Sequence, residues 1–274
     1  MNHDNTIISI TGSLSEFLDR LPELGTVFVQ TRSHCGGLGK FLNLNTIYFD
    51  SEEKVLSSPE TGMLIDLSEM VAIFAEVPDD TSQIARLEFD FFNRPSGLTF
   101  MLMPSISEMA TFHQLIKIHF GGEVDPEDLS DLRDELLGSD NRCPCCQEAG
   151  KNRQQNVSKH PLYEIVSSLK ETSVTGHIRH RASHVDLTGW VRPESISIQN
   201  GHLLVTDHCG TVVTINFDHL HALAMKNLRF DGAESSSLNI LDTYGNCQIE
   251  WVVEDPEIIH HWKQICHRSH TSDK

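Results

Sequence analysis

Residues His177 to His184 read HIRHRASH and gather three histidines and two arginines into eight positions. A neutral imidazole is a ligand for iron or zinc, and a guanidinium matches a carboxylate through its planar fork. What the stretch can do depends on its backbone. On a helix, His180 and His184 stand one turn apart on one face and can share a metal ion. On a strand the same pair lies about 13 Å apart, at roughly 3.3 Å per residue, too far for one ion. A second group, CPCC at Cys143–Cys146, holds a C-x-x-C pair. A zinc ribbon needs two such pairs and the chain has one, so zinc on Cys143 and Cys146 needs a histidine from elsewhere. The competing reading is reduced thiols exposed in a loop. No nucleophile–base set, paired carboxylates, P-loop or dinucleotide fingerprint accompanies these groups.

The chain has 274 residues and a formal charge of −18. That charge opposes binding to nucleic acid or an anionic membrane, and no apolar run is long enough to insert into a bilayer. Apolar residues make up 39% of the chain, enough for packed cores. The first residues, MNHDNTIISITGS, offer neither a basic region nor an apolar one to read as a secretory signal. The seven cysteines are irregularly spaced, so reduced thiols and a cytoplasmic location are expected. Charge is also uneven. Between Arg142 and Arg192 eight basic side chains face four acidic ones, while the rest of the chain carries 13 bases and 35 acids. A basic island in an acidic protein suits a compact anionic ligand; a solvated linker of mixed charge is the plainer explanation.

The positions of these groups follow from an internal repeat. VFVQTRSH (27–34) aligns with HIRHRASH (177–184) at an offset of 150. IDLSEMVAIFA from Ile65 aligns with INFDHLHALAM from Ile215 at the same offset. LEFDFFNRPSGLTF from Leu87 resembles LNILDTYGNCQI from Leu238, and FHQLI (112–116) meets HWKQI (261–265) at 149. Two homologous domains are expected, 1–122 and 158–274, joined by 123–157. Each copy opens on an amphipathic helix, with Leu14, Phe17, Leu18 and Leu21 in one and Tyr163, Val166 and Leu169 in the other. Strand-like runs follow, such as NTIYFD, LTFMLM, SISIQ, HLLVTD and CQIEWVV. Each copy closes on a helix, entered through a Ser105/Glu108 capping-box pattern or at Pro256. The class is α+β, with an antiparallel sheet and flanking helices in each copy. Thr26, Val27, Val29 and Thr31 favour a strand, so the homologous histidine stretch is also expected on a strand, which disfavours a single-ion His180/His184 site.

In the connecting segment, DPEDLSDLRDELLG reads as a helix with Pro126 in its first turn and Gly138 as its stop. The following SDNRCPCCQEAGKNRQQNVSKHP reads as a polar, turn-rich connection. With no helix expected at Cys143 to acidify its thiol, a redox role is disfavoured.

Both copies resemble the domain of bacterial haem-utilisation proteins of the HemS/ChuX superfamily, in its tandem form. The residues carrying the resemblance are IDLSEMVAIFAEV, ARLEFDFFNRPSGLTFMLMPS and FHQLIKIHF in the first copy. In the second they are HRASHVDLTGW, INFDHLHALAM, SSSLNILDTYGNCQIEWVV and HHWKQI. The resemblance implies haem as ligand, a haem donor or acceptor protein as partner, and a role in haem storage, transfer or degradation. In tandem members the axial histidine starts a helical insert ahead of the second repeat. The corresponding interval here is short, and His160 stands at that junction without a motif match. Haem needs an apolar slot, axial ligands and cations near its propionates. The candidates are therefore His160, Arg179, His180, Arg181 and His184. Cys143-Pro144 is similar to a dipeptide through which some haem-regulated proteins ligate iron. Two other readings stay open: an interaction or regulatory protein that keeps the fold without haem, and a zinc module on Cys143 and Cys146.

Overall fold

The computed structural model describes residues 5–78, 85–91, 98–137, 142–182, 184–230 and 233–271. The chain forms two compact units that are not continuous in sequence. Unit 1 comprises Met1–Arg32, Gly39–Ser139 and Ala182–Leu187; unit 2 comprises Ser33–Leu38, Asp140–Arg181 and Thr188–Lys274.

Unit 1 begins with β1 (Thr6–Ile10) and the short helix α1 (Leu14–Leu18), which the Ser13 side chain caps by accepting from Glu16 N. Strands β2 (Thr26–Ser33) and β3 (Gly36–Asn43) follow. A meander of β4 (Tyr48–Asp50), β5 (Val55–Ser58) and β6 (Met63–Asp66) comes next. The unit continues through β7 (Met70–Val77), β8 (Arg86–Phe91), β9 (Leu98–Pro104), α2 (Met109–Ile118), β10 (Phe120–Glu123) and α3 (Pro126–Leu137). Its main sheet has the order β10-β1-β7-β8-β9-β2-β3. Residues 92–97 of the repeat segment LEFDFFNRPSGLTF and the expected helix stop at Gly138 lie outside the described residues.

Unit 2 contributes α4 (Pro144–Gln155), α5 (Pro161–Thr172), β11 (Gly176–Ala182) and β12 (Val185–Val191). A second meander is formed by β13 (Ser195–Gln199), β14 (His202–Thr206) and β15 (Val212–Asn216). Then come β16 (Leu220–Phe230), β17 (Ala233–Asp242), β18 (Cys247–Val253) and α6 (Pro256–Thr271). Its main sheet runs β16-β17-β18-β11-β12, the same order as β7-β8-β9-β2-β3. The expected α+β class and antiparallel sheet in each of two homologous domains are therefore what the chain builds.

Core packing in unit 2 follows period two along the strands and a helical stripe above them. Ile178, Leu238, Ile240, Ile249 and Trp251 are buried, as are Leu162, Ile165, Val166 and Leu169 of α5 and Ile258, Trp262 and Ile265 of α6. Trp262 donates its indole N–H to Ser168 Oγ at 3.2 Å, which satisfies the one polar atom that this ring buries. Gly176 starts β11 where the Trp251 indole crosses it, and a Cβ there would collide with that ring.

Two local expectations fail. Ser105 and Glu108 do not form a capping box: Ile106–Glu108 is a 3₁₀ turn, Ser105 Oγ bonds Ser107 Oγ at 2.8 Å, and Glu108 precedes α2 without a side-chain cap. The segment after Cys143 is a helix of 12 residues rather than a turn-rich connection. It lacks an apolar stripe and is held instead by polar contacts. Arg142 donates to Asp218 O at 2.8 Å and Oδ2 at 2.9 Å, and Arg153 donates to Phe217 O at 3.2 Å.

Candidate functional site

The histidine stretch is the strand β11 and its turn, so the helical two-histidine metal site does not form. Alternation divides its side chains. Gly176, Ile178 and His180 are buried on the core side, whereas His177 and Arg179 are half-buried and Arg181 is exposed on the outer side. The core residues pair across β18, Ile178 with Trp251 and His180 with Ile249. His180 is 0% exposed, and its Nε2 lies 3.2 Å from Ser33 Oγ.

On the outer face Arg179 pairs with Glu250 in the strand register. The Trp190 ring, 64% exposed, meets His177 edge-on with centroids 5.0 Å apart. Cys247 lies on the same side and donates to Asn239 Oδ1 at 3.2 Å. Burial raises its thiol pKa, Glu250 adds to the rise, and Arg181, Lys226 and Arg179 oppose it. These charges thus share one neighbourhood: three cations, one carboxylate, an imidazole and an indole. His177, Trp190, Lys226 and Glu250 are the members that the sequence reading did not single out. The signal for His177 was available, since period two places 177, 179 and 181 together.

The other candidate histidines are placed elsewhere. His160 is the N-cap of α5, and its Nδ1 accepts from Leu162 N at 3.1 Å. That bond leaves the proton of the neutral ring on Nε2. Burial lowers its pKa to about 4, with the nearby Arg153 charge adding to the effect, so the ring is neutral at physiological pH. Its edge meets the Phe217 ring with centroids 5.1 Å apart. His184 belongs to unit 1, stacked nearly parallel on Phe91 at 6.2 Å, with Nδ1 3.8 Å from Asp66 Oδ2. Among the candidates, the structure therefore brings Arg179 and Arg181 together and separates His180 to the opposite face of the same strand.

The CPCC group stands at the start of α4, with Cys143 as N-cap and Pro144 in the first turn. The expectation that no helix begins there is overturned. Cys143 and Cys145 are exposed and Cys146 is half-buried. Hydrogen bonds from the Cys145 and Cys146 thiols and the Cys146 backbone lower the Cys143 pKa to about 7, which makes it a partly ionised thiolate at neutral pH.

Unit 1 has a counterpart of the outer face. Strand pairing equates Val29 with Ile178 and Thr31 with His180, because their partners Leu102 and Trp251 also stand 149 residues apart. Phe28 and Phe41 thus occupy the places of His177 and Trp190, and they too meet edge-on, at 5.2 Å. Together with Thr26, Met103, Pro104 and Ile106 they line a groove of about 630 Å³. Gln30 replaces Arg179, and Arg32 replaces Arg181. Arg32 donates to Met101 Sδ at 3.3 Å and lies 3.8 Å from the buried Glu88 carboxylate.

No protein-family model matches the sequence, and no curated protein matches it. Solved structures do match. The haem-degrading enzyme ChuS of Escherichia coli O157:H7 superposes with a TM-score of 0.66 at 10% identity, over 96% of this chain and 86% of that one. Apo-PhuS, a haem-binding protein from Pseudomonas aeruginosa, gives 0.64 at 10% identity, over 95% and 86%. Holo-PhuS gives 0.65 at 9% identity over the same shares. The chain therefore has the fold of ChuS and PhuS. Among the described residues no helix is long and apolar enough to cross a membrane.

Proposed function

We propose that the protein binds haem and serves its transfer, storage or use as an iron source in the cytoplasm, with the outer sheet face of unit 2 as the seat. The observation that carries this reading is the alternation of β11, which sets His177, Arg179 and Arg181 on one side. Consecutive outward residues of a strand are about 7 Å apart, a spacing at which two guanidiniums can each take one propionate. The Trp190 indole offers a flat apolar surface beside them, and His177 supplies an imidazole for the iron. These residues fit a planar dicarboxylate, although Glu250 opposite Arg179 competes for that guanidinium. The iron would supply any redox or oxygen chemistry; the chain's own part is to hold, orient and release the ligand. The ChuS and PhuS folds, one of a haem-degrading and one of a haem-binding protein, support the choice of ligand. Hand-over to a donor or acceptor protein belongs to the same reading.

The test is a hemin titration of untagged protein, read by Soret absorbance. A saturable one-to-one shift, weakened by Arg179→Ala plus Arg181→Ala and altered in band position by His177→Ala, supports the seat. A shift kept by all three variants moves the ligand elsewhere, with His160→Ala as the next variant.

One observation favours a second reading, an interaction protein that retains the fold without haem. His160, His180 and His184 each have a local structural role, as helix cap, buried hydrogen-bond partner and ring stacked on Phe91. That reading predicts only weak, non-saturating hemin absorbance.

A further inference from the structure

Cys143, Cys145 and Cys146 take no part in the haem reading, yet among the described residues they form the only cluster of three metal-ligating side chains. Their sulfur atoms all lie within 4.8 Å of one another. Three thiolates around one ion at a metal–sulfur distance of about 2.3 Å would stand about 4 Å apart, so a modest contraction closes the site. We propose that these three cysteines bind one thiophilic d10 metal ion, Zn²⁺ or Cu⁺, through three sulfur ligands. The donor set contains sulfur alone, which selects soft and borderline ions over Mg²⁺ or Ca²⁺.

The backbone builds the cluster from four consecutive residues. Cys143 is extended, and its carbonyl accepts from Cys146 N at 2.9 Å and Gln147 N at 3.1 Å, which folds the first turn of α4 back over the N-cap. The frame beneath it is fixed. The Arg142 side chain is 5% exposed and pairs with Asp218 at 2.9 Å, while Gln147 Nε2 donates to Arg142 O at 3.0 Å. Gly150 lies so close to Asp218 that a Cβ has no room. The helix therefore cannot rotate without breaking these contacts, and the backbone that carries the three cysteines is fixed before an ion arrives. Arg153 is near enough for its charge to interact with Cys146, and offsets part of the negative charge that three thiolates gather.

The third thiol separates this proposal from a simple dithiol. A Cys143–Cys146 disulfide pair has no use for Cys145, whereas a three-sulfur site loses a ligand without it. For Zn²⁺, three protein ligands leave the fourth tetrahedral position open on an exposed surface, which suits an exchangeable ion better than a closed structural one.

The experiment uses full-length, untagged, haem-free protein, reduced and kept without oxygen. Zn²⁺ and Cu⁺ are each titrated in competition with a chromophoric chelator, and Cd²⁺ is added separately to read the thiolate charge-transfer band. The expected result is one equivalent of Zn²⁺ or Cu⁺ withdrawn from the chelator and a Cd²⁺ band, both lost in Cys145→Ser. Which of the two ions competes successfully names the occupant. No metal withdrawn from either chelator overturns the proposal. So does equal binding by Cys145→Ser. Because Cys145 is exposed, its serine variant should keep the wild-type circular dichroism, and hemin titration of that variant reports separately on the haem seat.

Discussion

The buried His180 Nε2 and the half-buried Ser33 Oγ lie 3.2 Å apart in unit 2, on the face of β11 opposite Arg179. Ser33 Oγ also reaches Gly36 O at 3.2 Å, so the hydroxyl joins the imidazole to the turn between β2 and β3. A histidine with no exposure and a hydrogen-bonded ring serves the core. His180→Ala removes packed volume and a buried polar contact, and is expected to cost about 2–4 kcal/mol in urea unfolding. Hemin affinity of the folded variant should be unchanged. Lost hemin binding with unchanged stability would identify His180 as an iron ligand instead.

His160 makes stability depend on pH in a definite direction. Its folded pKa, about 4, lies below the ordinary histidine value near 6.5, so between these values the unfolded chain binds the proton and the folded chain does not. The contribution is fully present above pH 6.5 and declines as pH falls toward 4. The shift corresponds to at most about 3 kcal/mol. His160→Asn retains an oxygen to cap α5 but cannot titrate in this range. Unfolding free energies measured from pH 8 to 4 should fall less steeply for this variant than for the wild type. Parallel curves would show that His160 is not the group responsible.

The repeat was legible in the sequence, and its exact register was not. An offset of 150 fits β6 against β15, where Ile65 and Ile215 are both buried. It fits the bulges at Met70/Ala72 and Leu220/Ala222 as well. At β2 against β11 the offset is 149, and at the terminal helices Phe112 matches Trp262, both buried, at 150 rather than the 149 read from FHQLI and HWKQI. A slip of one residue moves every strand side chain to the other face. HIRHR contains one apolar residue among five, so its pattern could not correct the slip. Only the pairing of Ile178 with Trp251 does so. The helix α4 was hidden for a related reason: its sequence has no apolar stripe, and its place depends on Arg142 and Arg153 meeting the Phe217–Asp218 turn far along the chain.

Gly150 gives that helix a direct test. A Cβ at this position would overlap the Asp218 carboxylate and backbone carbonyl, and the backbone cannot yield as a side chain can. Alanine is the better helix former, so an exposed, unpacked Gly150 would gain stability on replacement. The contact predicts the opposite sign: Gly150→Ala should destabilise by about 1–3 kcal/mol through overpacking. Arg142→Ala should act on the same contact, and the double variant should cost less than the two single losses combined. A stabilised Gly150→Ala protein would mean that α4 is not seated on Asp218.

The two units assign different environments to equivalent arginines. Arg32 in unit 1 faces the buried Glu88 carboxylate at 3.8 Å and bonds Met101 Sδ, and Arg86 Nη1 stands 3.8 Å from the same carboxylate. Arg181 in unit 2 is exposed, and the position matching Glu88 is the neutral Asn239, whose amide bonds Ser237 Oγ and Ala224 O. Removing Arg32 therefore takes a cation from an almost fully buried acid, whereas removing Arg181 strips a cation from a surface that holds Arg179 and Lys226 as well. Arg32 is itself half-exposed and Arg86 remains beside Glu88, so Arg32→Ala is expected to lower stability by about 0.5–1 kcal/mol and leave hemin affinity unchanged. Arg181→Ala should change stability by less than about 0.5 kcal/mol and weaken hemin binding, more so at low salt where screening is small. Thermal unfolding and hemin titration on both variants separate the two. A reversed pattern, with hemin binding lost in Arg32→Ala alone, would move the seat to the groove of unit 1, where Phe28 and Phe41 take the places of His177 and Trp190.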